Sequence, residues 1–113
     1  MTLLLLKEKV QNSEILIFSE VIETIDAFYL FTPTRFKNGT IINDAGTNNG
    51  SCKVFSFAKE QNLSASESLF LFGEHYQKVL QTPTDDDHQN IRNFMEFGWE
   101  GIQFLENALE LKK

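Results

Sequence analysis

Three kinds of side chain in this sequence could do chemistry beyond packing: one thiol, two imidazoles, and a cluster of amides and hydroxyls. Cys52 is the single cysteine, and it stands beside Lys53 where a helical pattern begins. A neighbouring cation and a helix N-terminus both favour the thiolate. A catalytic thiolate needs a base, and His75 and His88 are the only imidazoles. Their spacing from Cys52 fits no Cys–His motif. A small buried thiol is therefore the competing reading.

The cluster of amides and hydroxyls is Asn43-Asp44-Ala45-Gly46-Thr47-Asn48-Asn49-Gly50-Ser51, which runs directly into Cys52 and Lys53. Asn43, Thr47, Asn48, Asn49, Ser51 and Lys53 form a candidate ligand-binding set, with Arg92 from further along as a carboxylate partner. Backbone N–H groups around Gly46 and Gly50 could cradle an anion at the helix start. The glycine spacing and the missing lysine-serine ending exclude a P-loop. The alternative is structural: these side chains cap a helix and fix a long turn.

A third candidate is Asp85-Asp86-Asp87-His88. Asp87 and His88, with Glu74 and His75, offer carboxylate and imidazole to a metal. The spacing is neither that of a zinc finger nor that of a calcium loop. An acidic helix start explains the aspartates equally well, and Arg35 or Arg92 could pair with them. We therefore expect no metal and no cofactor.

The elements that must position these residues can be read from periodicity. Leu3, Leu6 and Val10 share one face of a first helix over residues 3–11. Val21, Ile22, Ile25, Phe28 and Tyr29 mark a second, with Ser19 as its expected N-cap. Residues 31–36 read as extended, with Pro33 at an edge or entrance of any sheet. Asn38-Gly39 predicts a hairpin turn into Thr40-Ile41-Ile42. Asn49 or Ser51 is expected to cap the helix that runs to about Gln61. Ser64-Ala65-Ser66-Glu67 matches a capping box. Gly73 either weakens a long helix or divides it. The aspartates of 85–87 are expected to open a last helix carrying Ile91, Phe94 and Met95, which Gly98 ends. The tail, residues 108–113, could add a strand. The expected fold is α+β and mainly helical: four or five short helices with a small antiparallel hairpin or sheet near residues 31–42, and the tail as a candidate further strand.

Composition bounds the function. A chain of 113 residues is one domain by default, residues 1–113. Eleven phenylalanines supply a core and leave some aromatics for a partner surface. A net charge of -6 and the absence of any basic run argue against nucleic acid. The apolar tetrad Leu3–Leu6 is too short for a signal peptide or a membrane span. A lone cysteine suits a reducing compartment. We expect a cytoplasmic protein, or one secreted without a cleaved signal.

The order of segments also resembles a known family. Tyr29-x-Phe31-Thr32-Pro33-Thr34-x-Phe36-x-Asn38-Gly39 is followed by Asn43-x-Ala45-Gly46-Thr47-Asn48-x-Gly50-Ser51-Cys52-Lys53-x-Phe55-x-Phe57-Ala58. Then come Leu71-Phe72-Gly73-x-x-Tyr76, Thr82-Pro83 and Asp87-His88-x-Asn90-Ile91-Arg92-x-Phe94-Met95-x-x-Gly98-Trp99-x-Gly101-Ile102-x-Phe104. Together these resemble the HopJ family of small bacterial proteins across nearly the whole chain. Thr84-Asp85-Asp86-Asp87 departs from the glycine-containing turn expected there. The resemblance implies a kinship with a type III secretion effector and brings no catalytic residue with it. Three readings follow: a small domain binding an unknown protein or small molecule, a secreted effector, or an enzyme using Cys52 with His75 or His88.

Overall fold

The computed structural model describes residues 1–112. Six α-helices, one 3-10 turn and five short strands make a mixed α+β fold: α1 (Leu3–Gln11), α2 (Phe18–Phe28), β1 (Tyr29–Phe31), β2 (Phe36–Asn38), β3 (Ile41–Asn43), α3 (Asn49–Glu60), α4 (Ala65–Phe70), α5 (Glu74–Gln81), α6 (Gln89–Phe97), the 3-10 turn (Gly98–Gly101), β4 (Ile102–Phe104) and β5 (Leu109–Leu111).

The strands pair antiparallel as β1–β5 and as β3–β2–β4. These two sheets are halves of one interrupted ladder. Phe31 faces Leu109 and Phe36 faces Phe104, so both segments advance by equal steps through the gap. At its ends the Thr32 N–H still donates to the Ala108 carbonyl at 2.8 Å, and the Leu105 N–H to the Arg35 carbonyl at 3.0 Å. Between them lies Pro33, which has no N–H to give. The side chains change phase at the same place. Tyr29 is buried before the break, whereas Thr34, Phe36 and Asn38 are buried after it. The tail thus supplies strand β5; Lys113 lies outside the described residues. The hairpin expected at Asn38-Gly39 forms one residue later: Asn38 ends β2, and Gly39, at φ +60°, turns the chain with Thr40 into β3.

Helix α3 crosses the buried face of this ladder and carries the core. Val54, Phe55, Phe57 and Ala58 are fully buried. Phe55 is the hub: its ring lies 4.8 Å from Phe94, 5.3 Å from Phe72, 6.1 Å from Phe36 and 6.4 Å from Trp99, centroid to centroid. Most aromatics are consumed in this way; Phe28 and Phe97 remain exposed. Rings at such separations add to the area they bury through edge-to-face and offset contacts.

Several helix starts differ from the sequence reading, each for a tertiary reason. Helix α2 begins at Phe18, and Ser19 does not cap it. The Phe18 N–H instead donates to the Glu74 carboxylate at 2.6 Å, from a helix remote in sequence. Neither Asn49 nor Ser51 caps α3: its N-cap is Asn48, in the left-handed region and without a side-chain cap bond. Asp85, Asp86 and Asp87 lie before α6, not in its first turn, and His88 is the N-cap. The Ser64–Glu67 capping box forms as read.

Gly73 divides the expected long helix into α4 and α5. At φ +58° it adopts a conformation that favours glycine, and a Cβ there would come within 2.5 Å of the Leu16 carbonyl. The backbone leading into α2 passes directly over this glycine, which places Glu74 beside Phe18.

Candidate functional site

Four helix N-termini meet at one cleft of about 410 Å³. Phe18 of α2 and Phe72 form an apolar side, with Ile41 of β3 and Ile91 of α6. Gly50 and Ser51 bring the first turn of α3 to it. His75 stands in the first turn of α5; His88 and Gln89 open α6. The imidazoles of His75 and His88 face one another with centroids 5.0 Å apart, and Phe18 meets His75 edge-on at 4.9 Å.

A buried lattice of asparagines sets the floor. Asn43 and Asn90 exchange reciprocal amide bonds, both 3.0 Å. Asn48 Nδ2 donates to Asn43 Oδ1 at 2.7 Å, tying the start of α3 to β3. Asn38 Nδ2 donates to the Asn90 carbonyl at 2.8 Å and to its Oδ1 at 3.0 Å. One helical turn on, Asn93 Nδ2 donates to the Asn38 carbonyl at 2.9 Å. The lattice therefore fixes the starts of α3 and α6 against the β2–β3 hairpin. Asn38 Oδ1 is buried and has no partner in the protein.

Two non-glycine residues at the cleft, Asn48 at φ 53° and His88 at φ 50°, hold left-handed backbone immediately before a helix. Such pairs of left- and right-handed residues turn successive N–H groups inward and make anion-binding concavities. Neither α3 nor α6 has an acid in its first turn or a side-chain cap. Their first N–H groups and their dipoles thus give this end of the molecule a positive potential.

The acids nearby are already engaged. The Glu74 carboxylate accepts from Phe18, which holds its carboxyl below the usual range. Asp87 accepts from Lys78 at 2.6 Å and from Arg92 at 2.7 Å, and these contacts draw its pKa from 3.8 to about 2. Burial lowers the His88 pKa first, and the neighbouring His75 lowers it further. Both effects work against the charged form of the His88 imidazole, and the nearby Asp87 carboxylate opposes them.

Of the residues singled out in the sequence, the fold brings Asn43, Asn48, Ser51, His75 and His88 to this cleft. It places the others elsewhere. Cys52 is buried on the sheet side of α3, where its thiol donates to the Thr34 carbonyl at 3.9 Å. That carbonyl sits at the break in the ladder. Burial pushes the Cys52 thiol pKa up, the opposite of an activated nucleophile. Lys53 pairs with Asp26 at 2.8 Å and lies over the Phe31 ring. Thr47 closes its own turn on the Asp44 carbonyl, and Asn49 is exposed. Arg92 spends its guanidinium on the Thr82 carbonyl and hydroxyl and on Asp87, pinning the loop before His88. Among the described residues no three His, Cys, Asp or Glu side chains converge as a metal site.

Sequence reasoning passed over Phe18, Phe72, Gln89 and Asn90 as site residues. A signal existed for Asn90: with Asn93 it occupies the buried stripe of α6 beside Ile91 and Phe94. Amides on an apolar stripe need partners. A larger groove of about 730 Å³ lies between Ser56, Lys59 and Glu60 of α3 and residues 104–111, which run from the end of β4 through β5. It lacks the paired imidazoles and the helix starts, so the smaller cleft is the better candidate.

The comparisons with known proteins agree with this architecture. A family model described as HopJ type III effector protein matches residues 4–109. The crystal structure of an unknown-function protein, VPA0580, is 49% identical with a TM-score of 0.83, covering 84% of this chain and 80% of that one. No curated protein matches the chain. Among the described residues no helix is long and apolar enough to cross a membrane.

Proposed function

The chain belongs to the HopJ family, and we propose that it works as a small binding domain whose ligand sits in the cleft between the starts of α3, α5 and α6. The observation that carries this reading is the facing pair His75 and His88 in a cleft with no unengaged carboxylate among its lining residues. Convergent donors on an apolar wall suit a small molecule with one negatively charged end. The candidate contacts are His75, His88, Ser51, Gln89 and the first N–H groups of α3 and α6. Asn43, Asn48 and Asn90 act as the frame that holds these groups in place. No step of covalent chemistry is assigned to Cys52.

The test is a set of backbone NMR spectra recorded against a panel of small carboxylates, phosphate esters and neutral analogues. Shifts grouped on Gly50, Ser51, His75 and Gln89 support the reading. Shifts grouped on Ser56 to Glu60 and on residues 104–111 would move the site to the larger groove.

A second reading rests on the family's description as a type III effector. Residues 1 to about 25, fused to a reporter, would be exported by a type III apparatus if this chain shares that behaviour. Retention of the reporter removes the reading. An unpaired, buried Cys52 suits residence in the cytoplasm before any export.

A further inference from the structure

We infer that the cleft takes a dianionic phosphoryl group, a phosphate monoester of a small apolar molecule, held between the facing rings of His75 and His88. This rests on the reading of the cleft given above and assigns its ligand class.

The argument starts from charge. Two imidazoles with centroids 5.0 Å apart oppose each other once both are charged. No carboxylate lines the cleft, and the two nearest, Glu74 beside His75 and Asp87 beside His88, act on the imidazoles from outside it. On α5, Glu74 is held by the Phe18 N–H. On the preceding loop, Asp87 is held by Lys78 and Arg92, and Asp85 and Asp86 are exposed. Asp44, before α3, lies near Arg35 and is exposed. Lys78 of α5 and Arg92 of α6 add positive charge on the far side of Asp87. The Glu74 and Asp87 carboxylates are each shared with another donor, so neither occupies the space between the two rings.

The same layout disfavours a metal cation. Two imidazoles without a third ligand, beside helix N-termini, Lys78 and Arg92, form a poor cation site. A single negative charge would balance only one imidazolium, whereas a dianion balances both. Volume carries the rest. A cleft of about 410 Å³ exceeds what a bare oxyanion fills, and Phe18, Phe72, Ile41 and Ile91 give the surplus an apolar wall. An ester group, aliphatic or aromatic, fits there.

Calorimetry on the full chain with inorganic sulfate, inorganic phosphate and phenyl phosphate tests this. Sulfate keeps its double charge throughout the range, so its pH dependence reports protons taken up by the protein. Its affinity is expected to rise about tenfold or more from about pH 8 to about pH 6, with proton uptake read from buffers of different ionisation heat. Phenyl phosphate should bind more tightly than inorganic phosphate at each pH. His75→Gln and His88→Asn should each flatten the sulfate profile, and asparagine accepts the left-handed backbone at position 88. A melting curve for each variant checks that it folds. Sulfate binding that ignores pH, or survives both substitutions, overturns this inference and leaves the binding cleft standing. Tight binding of Zn²⁺ by His75 and His88 with no sulfate binding overturns it in favour of a cation site. If phosphate is preferred to phenyl phosphate, the ligand is the free ion and the ester is wrong. If no anion of any class binds, both this inference and the proposed function fall.

Discussion

Helix α6 is held in the molecule by two unlike means, and the contrast explains where the fold is robust and where it is exacting. Ile91 and Phe94 enter the aromatic cluster around Phe55. Asn90 and Asn93, on the neighbouring stripe, enter the amide lattice with Asn38 and Asn43. Apolar contact is nondirectional and scales with area, so rings that shift a little still bury their surface. An amide bond has length and direction, and a buried amide left unpaired costs about 1–3 kcal/mol. The aromatic half therefore decides that α6 packs here. The amide half decides the depth and rotation at which it packs, and so where His88 points.

Substitutions can break this comparison. Phe55→Ala should be the most damaging, costing about 3–5 kcal/mol in chemical denaturation, because it opens a cavity among four aromatic partners. Anion binding by the fraction still folded should be unchanged, since Phe55 does not line the cleft. Asn90→Ala should cost less, about 1–3 kcal/mol, by stranding the Asn43 Nδ2 and leaving Asn38 only the backbone carbonyl of residue 90. It should nevertheless abolish anion binding at concentrations where the variant remains folded. Equal loss of binding per unit of stability in both variants would erase the distinction.

Smaller effects sharpen it. Cys52→Ala should cost about 1–2 kcal/mol by leaving a small void between α3 and the ladder break, and Cys52→Ser should cost no less, because its buried hydroxyl would fall short of the Thr34 carbonyl. The native thiol should react with an alkylating agent only at the rate of unfolding. Fast alkylation under native conditions would restore Cys52 as a chemical candidate. Asp87 tests the loop that carries His88. Its pKa is lower in the folded chain than its ordinary 3.8, so its contribution to stability is complete above that value and fades as pH falls through about 2. A carboxyl titration followed by NMR should show that midpoint. Asp87→Asn should flatten the acid limb of stability between about pH 4 and about pH 2. An unshifted midpoint would mean that Lys78 and Arg92 do not hold the carboxylate in solution.

Local rules reached most of the architecture from the sequence. The periodic stripe of α1, the Ser64–Glu67 box, the Asn38-Gly39 hairpin and the helix end at Gly98 each depend on residues within one or two turns of one another. The candidate site was legible in part for the same reason: Asn43, Asn48 and Ser51 sit in one polar stretch. That stretch also misled, because it contains Cys52 and Lys53. A helix carries successive residues to different sides. Ser51 meets the cleft, Cys52 turns to the ladder break and Lys53 turns to Asp26.

The sequence by itself determined the family, the class of fold, the turn chemistry and the residues rich enough in hydrogen-bonding groups to build a site. Tertiary structure alone decided which of them met. The cap on α2 comes from Glu74, and the partners of Asn38 and Asn43 come from α6, each far along the chain. Nothing in local spacing encodes such pairings, because they exist only once the aromatic core has brought the helix starts together. The pairing of His75 with His88 belongs to the same class. Two lone imidazoles in the sequence become one feature only where Gly73 lets the chain pass close and the Arg92 anchor fixes the loop.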